Sequence, residues 1–240
     1  MAEPLLENPR FLMERVAKIL GGGAAKRAGL AGFVNSEFDR FLNQLFASRS
    51  ITPRNATAAL QGRPGFVWLA EKPSAEELGP LRVLEMVAMT ATTAPPPRRR
   101  PHQGEIGEVR SRDDLDGWFA VYSGVFGSDP KGRDEWGQIH DALGPAGDGS
   151  LLLLLARVDG SPAATGAVFF HDGLAGLYCF TTRKQMRGRG LASALVSAAH
   201  EAARTKGIAR AVLQATASGR TVYVKAGYRE EKSLPVLVAP

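Results

Sequence analysis

The sequence predicts an α/β protein: a mixed-sheet C-terminal domain preceded by a smaller α+β domain. Three observations lead there. SLLLLLARVDG (150–160) and PAATGAVFFHDG (162–173) are apolar runs that each close on Asp-Gly, the mark of tight hairpins. LAGLYCFTT (174–182) is followed by an alanine-rich helical run and then by ARAVLQAT (209–216), a strand–helix–strand unit. The seam TTAPPPRRRPHQGE (92–105) has four prolines, three consecutive arginines and no apolar period, so it reads as a linker. The division is therefore 1–95, a linker over 96–103, and 104–240.

In chain order, Asn8 is expected to cap a first helix with Pro9 at its first position and Phe11, Leu12, Val16, Ile19 and Leu20 as its apolar stripe. The glycines at 21–23 stop it. A second helix is expected after Ser36, because Phe38, Phe41, Leu42, Leu45 and Phe46 recur at helical spacing. GFVWLA (65–70) and RVLEMVAM (82–89) read as strands. Beyond the seam, GEIGEVR (104–110) is a strand and 113–127 and 134–143 are helices. The hairpins follow, then a helix from Leu191 to Gly207, the strand 209–216, a helix over 219–227 and a last strand from Ser233.

Composition narrows the function. Of 240 residues, 30 are Lys or Arg and 24 Asp or Glu, giving +6, which suits an anionic ligand but is too mild to indicate nucleic-acid binding. A single cysteine, Cys179, excludes an intrachain disulfide and a cysteine-rich metal site, so no metal is expected. The longest apolar run, LLLLLA at 151–156, is too short to span a bilayer, and no secretory signal is visible. A cytoplasmic protein without a membrane partner is the expectation, and a homodimer is compatible with it.

The chemistry concentrates in QMRGRGLASALVSAAHEAARTKG (185–207). Leu191, Leu195, Ala198 and Ala202 form one helical face, while Lys206 and Gly207 supply a C-terminal cation and stop. No Ser, Thr, Asn or Asp stands at the N-cap, so the first-turn amides are open to an external acceptor. Glycines in front of such a helix let an anion approach, and Arg187 and Arg189 add charge. The pattern fits neither a nucleotide-hydrolysing P-loop nor G-x-G-x-x-G, since Ser193 replaces the third glycine.

These residues resemble the GNAT superfamily of acyl-CoA-dependent N-acyltransferases, whose signature is [QR]-x-x-G-x-[GA]. Gln185–Gly190 satisfies it, and Arg187–Ala192 does so with Leu191 starting the core-facing stripe. About thirty residues on, TVYVKAGYRE is similar to the family's Y-x-x-x-G-[FY], with Tyr223, Gly227 and Tyr228. The resemblance spans roughly 104–240 and implies a GNAT fold there. It implies acetyl-CoA as co-substrate and transfer to a primary amine by direct attack, a small molecule before a protein lysine or N-terminus.

By position, the resemblance places the pantetheine arm along Phe180, Thr181 and Thr182. It places the pyrophosphate on Arg187, Gly188, Arg189, Gly190, Leu191 and Ala192, with Ser193 just beyond. Tyr223 becomes the general acid for the leaving thiolate. Two departures stand out. Thr216 occupies the position where many members carry a cofactor-contacting Asn, and LYCFTT lacks the Glu that often serves as base. His171, Asp172, Glu135, His140 and Asp141 are the nearest alternatives, and none is singled out as base. A coenzyme-binding regulatory protein without turnover is the rival from another class. The first 95 residues resemble a degenerate GNAT-like leading half, with an unrelated α+β or oligomerisation module as the alternative. Removing 1–100 is expected to spare coenzyme binding.

Overall fold

The computed structural model describes residues 4–27, 29–94 and 103–239. The leading part runs α1 (Pro4–Leu20), β1 (Gly23–Arg27), β2 (Leu30–Val34), β3 (Asn43–Ala47), α2 (Pro53–Ala58), β4 (Gly65–Trp68), α3 (Ala75–Leu78) and β5 (Arg82–Thr92). The trailing part runs β6 (Glu105–Glu108), α4 (Arg112–Phe126), α5 (Gly132–Leu143), β7 (Leu151–Val158), β8 (Ser161–His171), β9 (Leu174–Thr182), α6 (Leu191–Thr205), β10 (Arg210–Thr216), α7 (Ala217–Lys225) and β11 (Arg229–Ala239). Apart from Gln103, the expected linker lies outside the described residues. No described helix is long and apolar enough to cross a membrane.

The hairpins form for the reason the sequence suggests. Asp159 and Gly160 have φ of 49° and 75°, and Asp172 and Gly173 have 48° and 69°. Both central residues of each turn are thus left-handed, which matches the twist of the flanking strands. Helix α4 opens on a capping box, Ser111 with Asp114, and ends at Gly127 in the left-handed conformation.

All the described strands join one sheet in the order β1-β2-β3-β4-β11-β5-β10-β9-β8-β7-β6. Among the described residues only β3/β4 and β9/β10 are parallel. The order contains a repeat. A meander, β7-β8-β9, crosses through α6 to a parallel β10, and β1-β2-β3 crosses through α2 to a parallel β4 in the same way. The closing strand of each part then pairs with the other: β5 lies against β10, β11 lies against β4, and β5 and β11 pair with each other.

This arrangement bears on the expected boundary. The seam does not separate two sheets, because β5 from one side of it lies between β10 and β11 from the other. Nor does it separate two cores. Leu12, Met13 and Val16 of α1 share a buried cluster with Trp118, Trp136 and Phe169. A fragment beginning at 104 would lose the strand between two of its own. The expectation that it keeps its binding properties is therefore withdrawn.

Two further expectations are corrected. Asn8 is not a cap: α1 begins at Pro4, Pro9 lies within it, and Asn8 is buried with its Oδ1 accepting from the Tyr178 hydroxyl at 2.6 Å. A tertiary partner placed Asn8 inside the helix. The helix expected after Ser36 is a single 3-10 turn, Arg40–Leu42, followed by β3. There the short polar side chains bind backbone locally and compete with helix. Asn43 Oδ1 accepts from the amides of Asn35 and Ser36, and the Asp39 carboxylate accepts from the Phe41 amide.

The sheet is covered on both faces. Val168 and Phe170 of β8 point into a cluster with Leu191, Leu195 and Ala199 of α6. Ala167 and Phe169 point the other way, toward α1, α4 and α5. That alternation puts α6 and α7 on one face and the aromatic pack of Trp118, Tyr122 and Trp136 on the other.

Candidate active site

The site is built where two parallel strands part. β9 and β10 pair only from Leu174 to Leu177 opposite Arg210 to Leu213. Immediately afterwards β9 bulges: Tyr178 faces Ala167 and Thr181 faces Thr165, leaving Cys179 and Phe180 opposite Gly166 alone. Cys179 takes φ = 56°, a left-handed conformation that costs a side-chain-bearing residue ~1–2 kcal/mol. Three contacts hold it. The Thr165 hydroxyl donates to the Cys179 carbonyl at 3.1 Å, and Trp118 Nε1 donates to the Gly166 carbonyl at 3.1 Å. A Cβ on Gly166 would meet the Phe180 ring at 2.8 Å, so only glycine lets that ring lie there. Beyond Leu177, the edge of β9 that carries Phe180, Thr181 and Thr182 has no strand beside it on the β10 side.

The chain then turns through a 3-10 segment, Lys184–Met186, into the glycine loop. Gly188 and Gly190 have φ of 80° and 77°, and a Cβ on Gly188 would meet nothing within 4 Å. Gly190 is the N-cap of α6, and no side-chain cap hydrogen bond is made there among the described residues. The first intrahelical bond from this turn is Ala194 N–H to the Gly190 carbonyl, so the amides of Leu191, Ala192 and Ser193 precede the ladder. Arg187 Nε reaches the Thr182 carbonyl at 3.4 Å, tying loop to strand end, and the Gln103 amide donates to the Arg189 carbonyl. Leu191 is buried and anchors the turn. The crossover helix of the leading part offers no such opening. α2 has only six residues, Pro53 at its start, and the Thr52 hydroxyl accepting from the Asn55 amide.

Helix α7 follows β10 at the same end of the sheet. Thr216 is its N-cap residue and is exposed, with its hydroxyl 3.1 Å from that of Ser218. Tyr223 is half-buried, its ring edge-on to Tyr228 at 5.7 Å. Gly219 makes room for it: a Cβ there would lie 3.3 Å from the Tyr223 ring and 3.5 Å from Thr216 Oγ1. Burial raises the Tyr223 pKa and the neighbouring Cys179 thiol adds to the rise, so the phenol keeps its proton through neutral pH.

Strand end, glycine loop, Thr216 and Tyr223 thus gather at the carboxyl ends of β9 and β10, where ligands of α/β sheets bind. The loop suits an anion. The bare strand edge suits an extended chain of amides, and a protonated phenol stands beside the bulge.

The profile of the Acetyltransferase (GNAT) family matches residues 113–228. The chain carries a GNAT acetyltransferase domain. No curated protein matches the sequence. Among solved structures, a GCN5-related N-acetyltransferase from Kribbella flavida aligns over 98% of this chain and 96% of its own, with 16% identity and a TM-score of 0.60. A GCN5-related N-acetyltransferase-like protein from Streptococcus suis 89/1591 aligns over 95% and 99%, with 15% identity and a TM-score of 0.60. A functionally unknown conserved protein from Staphylococcus epidermidis ATCC 12228 reaches 0.65 over 91% and 94%, at 12% identity. The shared fold therefore includes the leading part as well.

The GNAT domain makes this protein an acyltransferase, and its family takes acetyl-CoA as co-substrate. The remaining expected residues of the acetyltransferase fall outside the gathering. His171 stacks on Phe11 at 3.7 Å, His140 Nε2 lies 3.0 Å from the Val109 carbonyl, and Asp141 pairs with Arg112. Glu135 differs. It accepts from the Ser36 hydroxyl at 2.5 Å, burial raises its pKa, and it lines a cleft of about 410 Å³ between α1, β1, β2 and α5.

Sequence reasoning missed several polar groups. Asp39, wholly buried, accepts from the Tyr122 hydroxyl and from Trp136 Nε1 at 2.8 and 2.9 Å. Arg183 keeps Nε buried without a hydrogen-bond partner among the described residues, just before the loop. His200 is buried within α6. Of these only His200 left a trace in sequence, as a polar residue between Ala199 and the alanines at 202 and 203.

Proposed function

We propose that the protein transfers the acetyl group of acetyl-CoA to the primary amine of a small molecule. One observation carries the reading. An uncapped helix preceded by two left-handed glycines follows a strand that has left its neighbour, and Tyr223 stands on the helix after that neighbour, near Cys179 of the bulge.

Arg187 to Ala192 would hold the pyrophosphate through first-turn amides and two guanidinium groups, with Ser193 at the rim. The edge at Phe180, Thr181 and Thr182 would pair with the amide-bearing arm, and strand amides would hold the carbonyl oxygen as it gains charge. Thr216 would meet the coenzyme from α7. The acceptor nitrogen attacks the carbonyl carbon, the carbon–sulfur bond breaks, and Tyr223 gives its proton to the departing sulfur. Bulk water returns a proton to Tyr223 and takes the one the amine sheds.

The acceptor class is supported by the cleft. Glu37, paired with Arg63, and Glu135 line it, and its volume is of a size for a small molecule. We read the first 95 residues as a GNAT-like leading part. The repeated meander and crossover support this, and α2 leaves that part without a phosphate loop. Such a reaction suits the cytoplasm expected from sequence.

Thiol release from acetyl-CoA across a panel of small amines and lysine peptides tests the reading. Turnover with a small amine, reduced at least tenfold in kcat by Tyr223→Phe, is expected. Release with peptides alone would overturn the acceptor class, and an unaltered kcat would remove Tyr223 as the acid.

A further inference from the structure

Helix α6 and the turn that follows α7 meet through one buried polar bond. His200 Nε2 lies 2.8 Å from the Tyr228 hydroxyl, and the two residues are 2% and 3% exposed. Around them are Leu195, Ala199 and Ala203, an apolar cluster that leucine and phenylalanine would fill equally well. A polar pair in such a place adds little net stability, because desolvation of both groups offsets the bond. What it adds is a fixed orientation, since only one arrangement of the two rings satisfies both polar atoms.

Burial lowers the His200 pKa to about 4, with the Arg204 charge adding to the effect. Burial also raises the Tyr228 pKa, with Tyr223 adding to it. Both groups are therefore neutral near pH 7, and the bond between imidazole and phenol is intact there.

Tyr228 in turn is bound to Tyr223 twice. Its amide donates to the Tyr223 carbonyl at 3.0 Å, and its ring takes the Tyr223 ring edge-on, 5.7 Å between centroids at 70°. The Tyr223 hydroxyl has no hydrogen-bond partner among the described residues, so ring packing alone sets where it points. We propose that His200 is a positioning residue: by holding the Tyr228 ring in one orientation, it sets the place of the Tyr223 hydroxyl at the parted ends of β9 and β10. The proposal rests on the reading of Tyr223 as proton donor.

The test uses the full chain, acetyl-CoA and the best acceptor from the amine panel. His200→Leu removes the polar atom at similar volume, Tyr228→Phe removes its partner, and His200→Gln keeps an amide within reach. The first two are expected to lower kcat about tenfold with KM for acetyl-CoA held within about twofold, as a small misplacement of a catalytic group does. His200→Gln should recover most of the rate. In a Tyr223→Phe background, His200→Leu should cause no further loss. An equal loss in both backgrounds, or a loss carried by KM, overturns the positioning role. A reduced rate in Tyr223→Phe beside an unaltered rate in His200→Leu overturns it while leaving the proton donor in place. An unaltered rate in Tyr223→Phe overturns both. A measurement without turnover stands beside these. The chain has four tyrosines, so ring-labelled tyrosine resonances can be assigned by substitution. The Tyr223 resonance should shift or broaden in His200→Leu, and an unmoved resonance overturns the proposal.

Discussion

Gly190 shows how a single residue makes an anion site from an ordinary helix. Its φ of 77° turns the chain so that α6 begins without a side chain over its first amides. A β-branched residue there would take on ~1–2 kcal/mol of backbone strain and place a side chain where the anion approaches. Gly190→Val is expected to abolish the rise in Tm that acetyl-CoA gives the parent protein. An equal rise in both would remove the pyrophosphate from this loop. Gly188 is the contrasting case. It is equally left-handed but faces open space, so alanine there should weaken the rise without eliminating it. Cys179 is a third kind of residue, a strained position that sequence alone reads as a packed thiol. Its thiol is indeed buried, and burial pushes its pKa up. Its φ, however, comes from Thr165 and Gly166 on another strand.

Elements depend on neighbours as much as on their own residues. Helix α4 is a useful example because its start is legible in sequence and its anchoring is not. Burial would raise the Asp114 pKa. The Ser111 side chain, the Arg110 amide, the Arg157 guanidinium 2.6 Å away and the Ser111 amide outweigh it and hold the carboxyl at about 2, below the ordinary 3.8. A carboxyl lowered by folding adds stability above about pH 4 that is lost as pH falls toward 2. Asp114→Asn should therefore lower Tm at pH 7 by about 3 °C, for a loss of ~1 kcal/mol after solvent screening. The variant and the parent should converge near pH 2. A constant gap across that range would mean that capping geometry, not charge, is what Asp114 supplies. The segment after Ser36 shows the reverse dependence. Its apolar spacing suits a helix, yet β3 forms because β2 and β4 flank it and pair with it on both sides.

For the whole molecule, the decisive feature is the exchange of closing strands. With β5 between β10 and β11, and α1 in the cluster of Trp118 and Trp136, the two parts share both sheet and core. Heating is expected to give one cooperative transition, with equal calorimetric and van't Hoff enthalpies. Two resolved transitions would contradict the shared core. A fragment covering 104–240 should fail to give a dispersed, monomeric species, because β10 and β11 would each expose an unpaired edge.

What the sequence by itself determined is local. The Asp-Gly hairpins, the strand 174–182, the alanine-rich helix with its uncapped start and the spacing of Tyr223 to Tyr228 follow from turn chemistry, apolar period and capping rules within a few residues. Those features sufficed to indicate the acyltransferase family. Tertiary structure alone decided what depends on distant partners. Tyr178 drew Asn8 into the middle of α1, and β2 and β4 converted a helical pattern into β3. Thr165 and Gly166 bent β9 away from β10. Exchange of β5 and β11 joined two parts that a proline-rich seam made look separate. Backbone hydrogen bonds between strands carry no pattern in either strand's own residues, and only the folded chain shows which edges meet.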